Sequence, residues 1–387
     1  MKFLIKKIEK NYLLLFTFWF IWKITTTTVG ILGTVFFHRQ MLSHSLLENL
    51  YIIFCWWDSA FFHDIATMGY GSPGAIVAKT AFPPVYPILI KFFRLLFSGN
   101  TFLAQYFVAN LCFLIWILLM YYFIKTYINN KNRNIAFNTT ILAMVFPYNL
   151  FFMTGYSESV FMVFLILFFI ALYKKHHFWA AIFIGLASAT RFVGIGLLAI
   201  LLIDIVVYNK QLLFKKILAL ISLSFISLIP LSIYSLFLEL KYGRWNEFLF
   251  AEASWGRKFQ LNFLTKYYDI IINNINGDHH STSFMVDIFN FSLLFLVLIV
   301  GAYMIVKYKQ YKYFGLLIWL MLLPALFNGI TLSMARLTII CFPVYYFFAE
   351  KMEKYNIPMF FLAIPAVAIQ VVLILVFTAG DPSRFLG

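Results

Sequence analysis

The sequence predicts an all-α protein that threads repeatedly through a membrane, and three observations predict it. First, 63% of the 387 residues are hydrophobic and only 12% are charged, at a mean hydropathy of +0.87. A soluble core of this size has no use for so much apolar surface. Second, the apolar residues form long unbroken runs, where a transmembrane barrel would show alternating segments of about ten residues. Third, the charges gather between the runs with a consistent bias in sign. Backbone polar groups inside a bilayer must bond within the chain, and helices are the simplest way to do so.

The opening MKFLIKKIEK is basic and precedes the first run, 11–37. No small-residue cleavage site follows, so it reads as a signal anchor kept as the first span. A first long loop, 38–100, comes next. Inside it the segment 83–98, PPVYPILIKFFRLLFS, is apolar but carries Lys91 and Arg94. That pattern fits an interfacial helix whose cations reach back to the headgroups. Further windows lie at 101–124, 135–152, 158–173, 178–190, 192–208 and 216–240, then at 284–306, 313–332, 337–349 and 357–378. With the first run they make about eleven spans, and 241–283 is left as a second long loop. Residues 1–387 read as a single integral-membrane domain.

With these spans the loops alternate between two sides. One side holds 17 cations and four acids: Lys2 to Lys10, Lys125, Lys131, Arg133, Lys174, Lys175, Lys210, Lys215, Lys216, Lys307, Lys309, Lys312, Lys351 and Lys354, against Glu9, Asp204, Glu350 and Glu353. The other holds 12 cations and 11 acids, and Lys23 stays inside the first span. The basic side is cytoplasmic by the positive-inside rule. The net charge of +15 is then a topology signal, and nucleic acid is not the partner it points to. The N-terminus is expected inside and the C-terminus outside. The acids and all arginines but Arg133 fall mainly outside, so chemistry is expected on the outer face.

Several classes have no support. Cys55, Cys112 and Cys341 show no CxxC or Cys/His spacing, so neither a disulfide framework nor a zinc site is read. Asp278, His279 and His280 cluster, but adjacent loop histidines rarely bind metal alone, and His38, His44 and His63 lack ligand spacing. There is no Walker loop, and no segment is long and polar enough to hold a nucleotide-sugar-binding Rossmann domain.

The candidates for chemistry lie at the outer ends of the runs. In CWWDSAFFHDIATMGYG (55–71), Asp58 and Asp64 sit in a helical pattern with Asp58 near its start, where the helix dipole favours an anion. Six residues put them on different faces, roughly 9 Å apart along the axis, so they are not a shared-proton pair. Asp58 reads equally well as an N-cap. TGYSESV (154–160) places Glu158 beside the membrane, where an acid must be solvated, paired or functional. Tyr156 and Ser157 stand beside it, and the plain alternative is a helix cap. SATRFVG (188–194) and SMARLTI (333–339) each hold one arginine, Arg191 and Arg336, between apolar runs. Each alone reads as a cation reaching for headgroups. Together, on the side with the aspartates, they read as a site for an anionic headgroup. Trp56, Trp57 and Tyr156 suit stacking on a sugar face or interfacial anchoring.

In this order the motifs resemble the PIG-V family of mannosyltransferases. The pieces are Trp57-Asp58, Phe61-Phe62, Ile65-Ala66, Gly69-Tyr70, Ala81-Phe82-Pro83, Tyr156 to Ser159, Ala189 to Arg191, and Arg336 with Pro343. Ser59-Ala60, His63 and Pro84 depart from the usual pattern. The resemblance implies a GT-C-type membrane glycosyltransferase with a polyprenyl-phosphate sugar donor, a lipid or glycan acceptor, and no cofactor or metal requirement. It implies a single inverting displacement, with Asp58 as general base and Arg191 and Arg336 holding the phosphate. Asp64, Glu158, Tyr156 and Trp57 are the further substrate-binding candidates. A prokaryotic plasma membrane is expected, with membrane lipids around the helices. The rival reading is a transporter or flippase of a lipid-linked glycan, which needs the same arginines and aromatics but no acidic outer loop.

Overall fold

The computed structural model describes residues 2–37, 57–71, 77–129, 132–208, 212–254, 256–257, 259–276, 282–307, 311–327 and 334–379. The calls on His38, His44, Cys55, Trp56, Lys131, Lys210, Asp278, His279, His280 and Lys309 lie outside them. Among the described residues every regular element is helical. The helices are α1 (Lys2–Phe37), α2 (Asp58–Met68), α3 (Val85–Phe93), α4 (Thr101–Phe123), α5 (Arg133–Val145), α6 (Glu158–Tyr173), α7 (His177–Ser188) and α8 (Gly196–Tyr208). They continue as α9 (Leu213–Tyr242), α10 (Glu247–Ser254), α11 (Phe263–Asn276), α12 (Thr282–Lys307), α13 (Lys312–Phe327), α14 (Met334–Thr338), α15 (Pro343–Lys354) and α16 (Phe360–Ala379).

Among the described residues, five stretches are long and apolar enough to cross a membrane: Lys10–Phe37, Thr101–Ile128, Leu213–Tyr242, Ile288–Lys307 and Phe360–Ala379. Each coincides with a predicted window. Four more windows are shorter apolar helices: Glu158–Tyr173, His177–Ser188, Phe192–Val207 and Lys312–Phe327. The last two windows differ from expectation. In 135–152 the α-helix stops at Val145, and Pro147–Phe152 continues as a 3₁₀ turn, because Pro147 has no N–H to extend the ladder. The window 337–349 is no single helix: α14 ends at Thr338, the chain turns, and Pro343 opens α15 at its first position.

Local signals set the ends that matter. Asn100 caps α4, its side chain accepting from Leu103 N at 3.0 Å. Gly69 ends α2 with φ +74, a conformation that favours glycine, and donates back to Ile65 O. The expected interfacial segment is α3 with a 3₁₀ turn, Arg94–Phe97; Ile88, Phe92, Leu95 and Leu96 project from it, exposed.

The helices pack as α4 on α6, α6 on α7, α7 on α9, α1 on α16, α12 on α13 and α5 on α15. The main core runs through Phe113, Trp116, Phe152, Phe169, Phe314 and Phe342. A second cluster joins α2 and α3 to α4 and α9 through Phe62, Phe82, Tyr86, Val108, Tyr234 and Leu238. The charged groups pair in separate clusters. Asp204 meets Lys175 at 2.7 Å, His177 at 3.0 Å and Tyr313 at 3.0 Å, and Asn132 meets Glu353 at 2.6 Å. Asp58, Glu158, Arg191 and Arg336 meet one another instead.

Candidate active site

The first loop folds into a platform because its aromatics find each other. Phe61 stacks on Phe82 with centroids 5.0 Å apart, and Phe62 meets Phe82 and Tyr86 edge-on at 4.9 Å. The Tyr70 hydroxyl donates to Phe82 O at 2.7 Å, Tyr234 to Thr80 O at 2.7 Å, and Tyr242 to Tyr70 O at 2.8 Å. Val85 N donates to Ala189 O at 3.0 Å, tying the proline-rich segment to the turn that carries Arg191. Thus the separate motifs of the first loop become one rigid unit under the start of α2.

Asp58 is the first helical residue of α2. It is not the N-cap: that position is Trp57, with φ +61, ψ −131 and no side-chain cap bond. A tryptophan at positive φ is strained by about 1–3 kcal/mol, which the packing around it must offset. The Asp58 carboxylate goes elsewhere. Arg336 Nη1 donates to Asp58 Oδ2 at 2.6 Å, and Arg336 Nε donates to Glu158 Oε1 at 2.5 Å. Glu158 Oε1 also accepts from Arg191 Nη1 at 2.7 Å. Four charged groups from four distant segments therefore alternate in one chain: Asp58, Arg336, Glu158, Arg191.

Each member is placed by its own element. Glu158 opens α6 and is only 1% exposed, and its two arginines supply the partners that a buried acidic group needs. Arg336 is 4% exposed and lies over the Tyr156 ring at 4.4 Å and the Phe151 ring at 5.2 Å. That aromatic seat favours a cation on top of the ion pairs. Arg191 follows the end of α7, where the backbone turns extended (φ −149, ψ 128) and swings its side chain out of the helical line. The turn is tight: a Cβ on Gly194 would stand 2.6 Å from Ala187 C. Arg191 Nε is buried and without a hydrogen-bond partner among the described residues, so the guanidinium keeps donor capacity in reserve.

These groups edge a cavity of about 850 Å³. Asp58, Arg191 and Arg336 line it directly, and Glu158 lies behind the arginines. Its lining mixes the rings of Trp57, Phe61, Phe62, Phe82, Phe192, Phe248, Phe259 and Phe327 with the aliphatic side chains of Leu249, Leu320, Leu323, Pro324, Ala325 and Leu337. The second long loop forms a strap. Phe248 of α10 stacks on Phe192 at 4.4 Å, and Gln260 N donates to Phe327 O at 2.9 Å. The strap brings Glu252 and Arg257, paired at 2.7 Å, to the cavity edge. Such a space takes a molecule with an apolar tail, an anionic group for the arginines, and a flat partly apolar body for the rings.

Of the sequence candidates, Asp58, Trp57, Arg191 and Arg336 line the cavity. Glu158 binds both arginines from behind. Two candidates differ. Asp64 pairs with Lys79 at 3.0 Å and is not a lining residue, because its helix face turns toward the 3₁₀ turn 77–81. Tyr156 is fully buried and serves as the seat of Arg336, with no face left for a ligand. Sequence reasoning missed Glu252, Arg257, Phe192 and Phe248. The signal for Glu252, Arg257 and Phe248 was the length of the second loop and its mixed charges, and Phe192 lay unread beside Arg191 in SATRFVG.

No family model matches the chain, and no curated protein matches it. Among solved structures, the crystal structure of the Archaeoglobus fulgidus oligosaccharyltransferase in complex with zinc and sulfate is similar over 94% of this chain and 53% of that one, at 13% identity and a TM-score of 0.45. The archaeal oligosaccharyltransferase AglB from Archaeoglobus fulgidus, in complex with an inhibitory peptide and a dolichol-phosphate, is similar over 95% of this chain and 56% of that one, at 13% identity and a TM-score of 0.40. The chain spans little more than half the length of these structures.

Proposed function

We propose that the protein is a membrane glycosyltransferase of the GT-C type, close in its motifs to the PIG-V mannosyltransferases. It moves mannose from a polyprenyl-phosphate donor to a hydroxyl of a lipid or glycan acceptor, on the outer face of the membrane. The observation that carries the reading is the chain Asp58–Arg336–Glu158–Arg191 on the edge of one cavity lined by aromatic and aliphatic side chains. A lipid-linked sugar phosphate has the matching parts: an apolar chain, an anion and a pyranose ring.

The chemistry follows from the charges. The acceptor oxygen attacks the anomeric carbon and gives its proton to Asp58, a general base at the cavity edge. The bond from that carbon to the phosphate oxygen breaks, and the electron pair leaves on the lipid phosphate. Arg191, Arg336 and Arg257 stabilise the negative charge that collects there. One displacement inverts the anomeric centre. Glu158 fixes the two arginines, and Trp57 and Phe61 flank the sugar.

The test uses membranes bearing wild type or Asp58→Asn at equal expression, given radiolabelled polyprenyl-phosphate mannose. Label passing into glycolipid or glycan with wild type and lost with Asp58→Asn supports both the class and the base. Transfer untouched by the substitution removes Asp58 from that role. Label that crosses the membrane without changing its chemical form supports the flippase reading instead.

A further inference from the structure

Asp58 and Glu158 sit at the first positions of two helices whose N-termini lie side by side, and one buried amide joins them. Gln105, in the second turn of α4, is fully buried. Its Nε2 donates to Gly155 O at 2.6 Å, to Ser59 O at 2.8 Å and to Ser59 Oγ at 3.0 Å. Ser59 is the residue after Asp58, and Gly155 stands three residues before Glu158. The side chains of Gln105 and Ser59 close in on Gly155. A Cβ on Gly155 would stand 2.6 Å from Gln105 Nε2 and 2.7 Å from Ser59 Oγ, so glycine is what admits the amide.

A glutamine fully buried at the start of an apolar helix costs free energy unless its polar atoms are bonded. Here both N–H groups go to the two segments that carry the acids, across 46 and 50 residues of chain. Arg336 joins the same two segments again from the other side, through the carboxylates themselves. The acids are thus held at two levels: backbone to backbone through Gln105, and carboxylate to carboxylate through Arg336.

We propose that Gln105 is a positioning residue for the transfer reaction: it fixes Asp58 against the segment that leads into Glu158. This inference rests on the reading of Asp58 as the base. A base displaced by about 1 Å can lose about 10²-fold in rate, while Arg336, seated on Glu158 and the Tyr156 ring, stays with Arg191 and Arg257 to hold the phosphate. Gln105 therefore acts on kcat and leaves the donor KM alone, and it acts only through Asp58.

The experiment uses the full chain purified in lipid nanodiscs, with polyprenyl-phosphate mannose and an alkyl mannoside as acceptor. Gln105→Met keeps the length of the side chain and removes both donors. The expected result is a kcat lowered about 10²-fold with an unchanged donor KM. Added to Asp58→Asn, the same substitution should cost nothing further. A wild-type kcat, a loss carried by KM, or a full further loss in the Asp58→Asn background overturns the proposal. Should Gln105→Met not fold, Gln105→Asn, which keeps the amide but shortens its reach, must show the same pattern at smaller size. If wild type transfers no sugar, the transferase reading fails by itself. Gln105 is then tested by the rate at which dicyclohexylcarbodiimide modifies Asp58, mapped by mass spectrometry. A rate changed by Gln105→Met supports the positioning role, and an unchanged rate overturns it.

Discussion

Arg336 donates to Asp58 at 2.6 Å across 278 residues of chain, and the same guanidinium donates to Glu158 at 2.5 Å. Removing Arg336 strands Glu158, which is 1% exposed, with Arg191 as its remaining partner. Breaking a buried ion pair in this way costs about 3–5 kcal/mol. Arg336→Ala should therefore lower the melting temperature in detergent markedly. Arg336→Lys keeps the charge but loses the planar fork that reaches two carboxylates at once. It should fold, yet lose sugar transfer by at least about 10²-fold. A lysine variant with wild-type transfer would show that the fork is dispensable.

Asp64 should behave differently from Asp58, although the two acids share one short helix. Its partner is Lys79 at 3.0 Å, and its side chain is 39% exposed. Lys79 is only 11% exposed, so the pair is partly buried and removing its carboxylate costs more than breaking a surface pair does. Asp64→Asn should leave transfer near wild type but lower the melting temperature. A collapse of kcat in Asp64→Asn, measured beside Asp58→Asn, would exchange the roles assigned to the two.

His63 gives α2 a pH response. Burial pushes its imidazole below the ordinary 6.5, Asp64 pulls it back up, and Arg94 presses it down. The folded protein then binds its proton at lower pH than the unfolded chain does. Stability rises with pH where the unfolded state holds more protons. The contribution is full above the ordinary histidine range and is lost as pH falls through it to the lower folded value. His63→Gln should therefore show a shallower fall in melting temperature between about pH 7 and pH 5. Identical slopes for the two proteins would mean that His63 does not titrate differently on folding.

Much of the site was legible because a charge beside a bilayer needs a reason. Asp58, Glu158, Arg191 and Arg336 each stand alone at the end of an apolar run, and that isolation singled them out. Their pairing was not legible, since no spacing relates residue 58 to residue 336. Asp64 looked equivalent to Asp58 because six-residue spacing assigns a face but not the neighbour on it; Lys79 decided the matter. The same gap explains the window at 337–349. LTIICFPVYYFFA is apolar throughout, yet Thr338 Oγ1 donates to Ala335 O and Tyr345 to Ile339 O, closing a turn that Pro343 then converts into a new helix start. Arg257 and Glu252 enter the cavity only because the strap crosses it, and tertiary placement of a loop leaves no periodic trace.

Two glycines separate the cost of space from the cost of conformation. Gly194 lies in the turn after Arg191, and a Cβ there would stand 2.6 Å from both Ala187 C and Ser188 N. Both are backbone atoms that have no rotamer to yield with. Gly194→Ala must push the turn off the end of α7, and overpacking of this kind costs about 1–3 kcal/mol. Arg191 would move with the turn, so the variant should bind polyprenyl phosphate about tenfold more weakly, as expected when about 1.4 kcal/mol of contact is lost. Gly69 is the control. It has φ +74 but open space around a Cβ, so Gly69→Ala adds strain of about 1–2 kcal/mol at a helix end without moving any charged group. Both variants should melt earlier, but only Gly194→Ala should show weaker binding of polyprenyl phosphate in a thermal-shift titration. Equal affinities would place the phosphate on Arg336 and Arg257 rather than on Arg191.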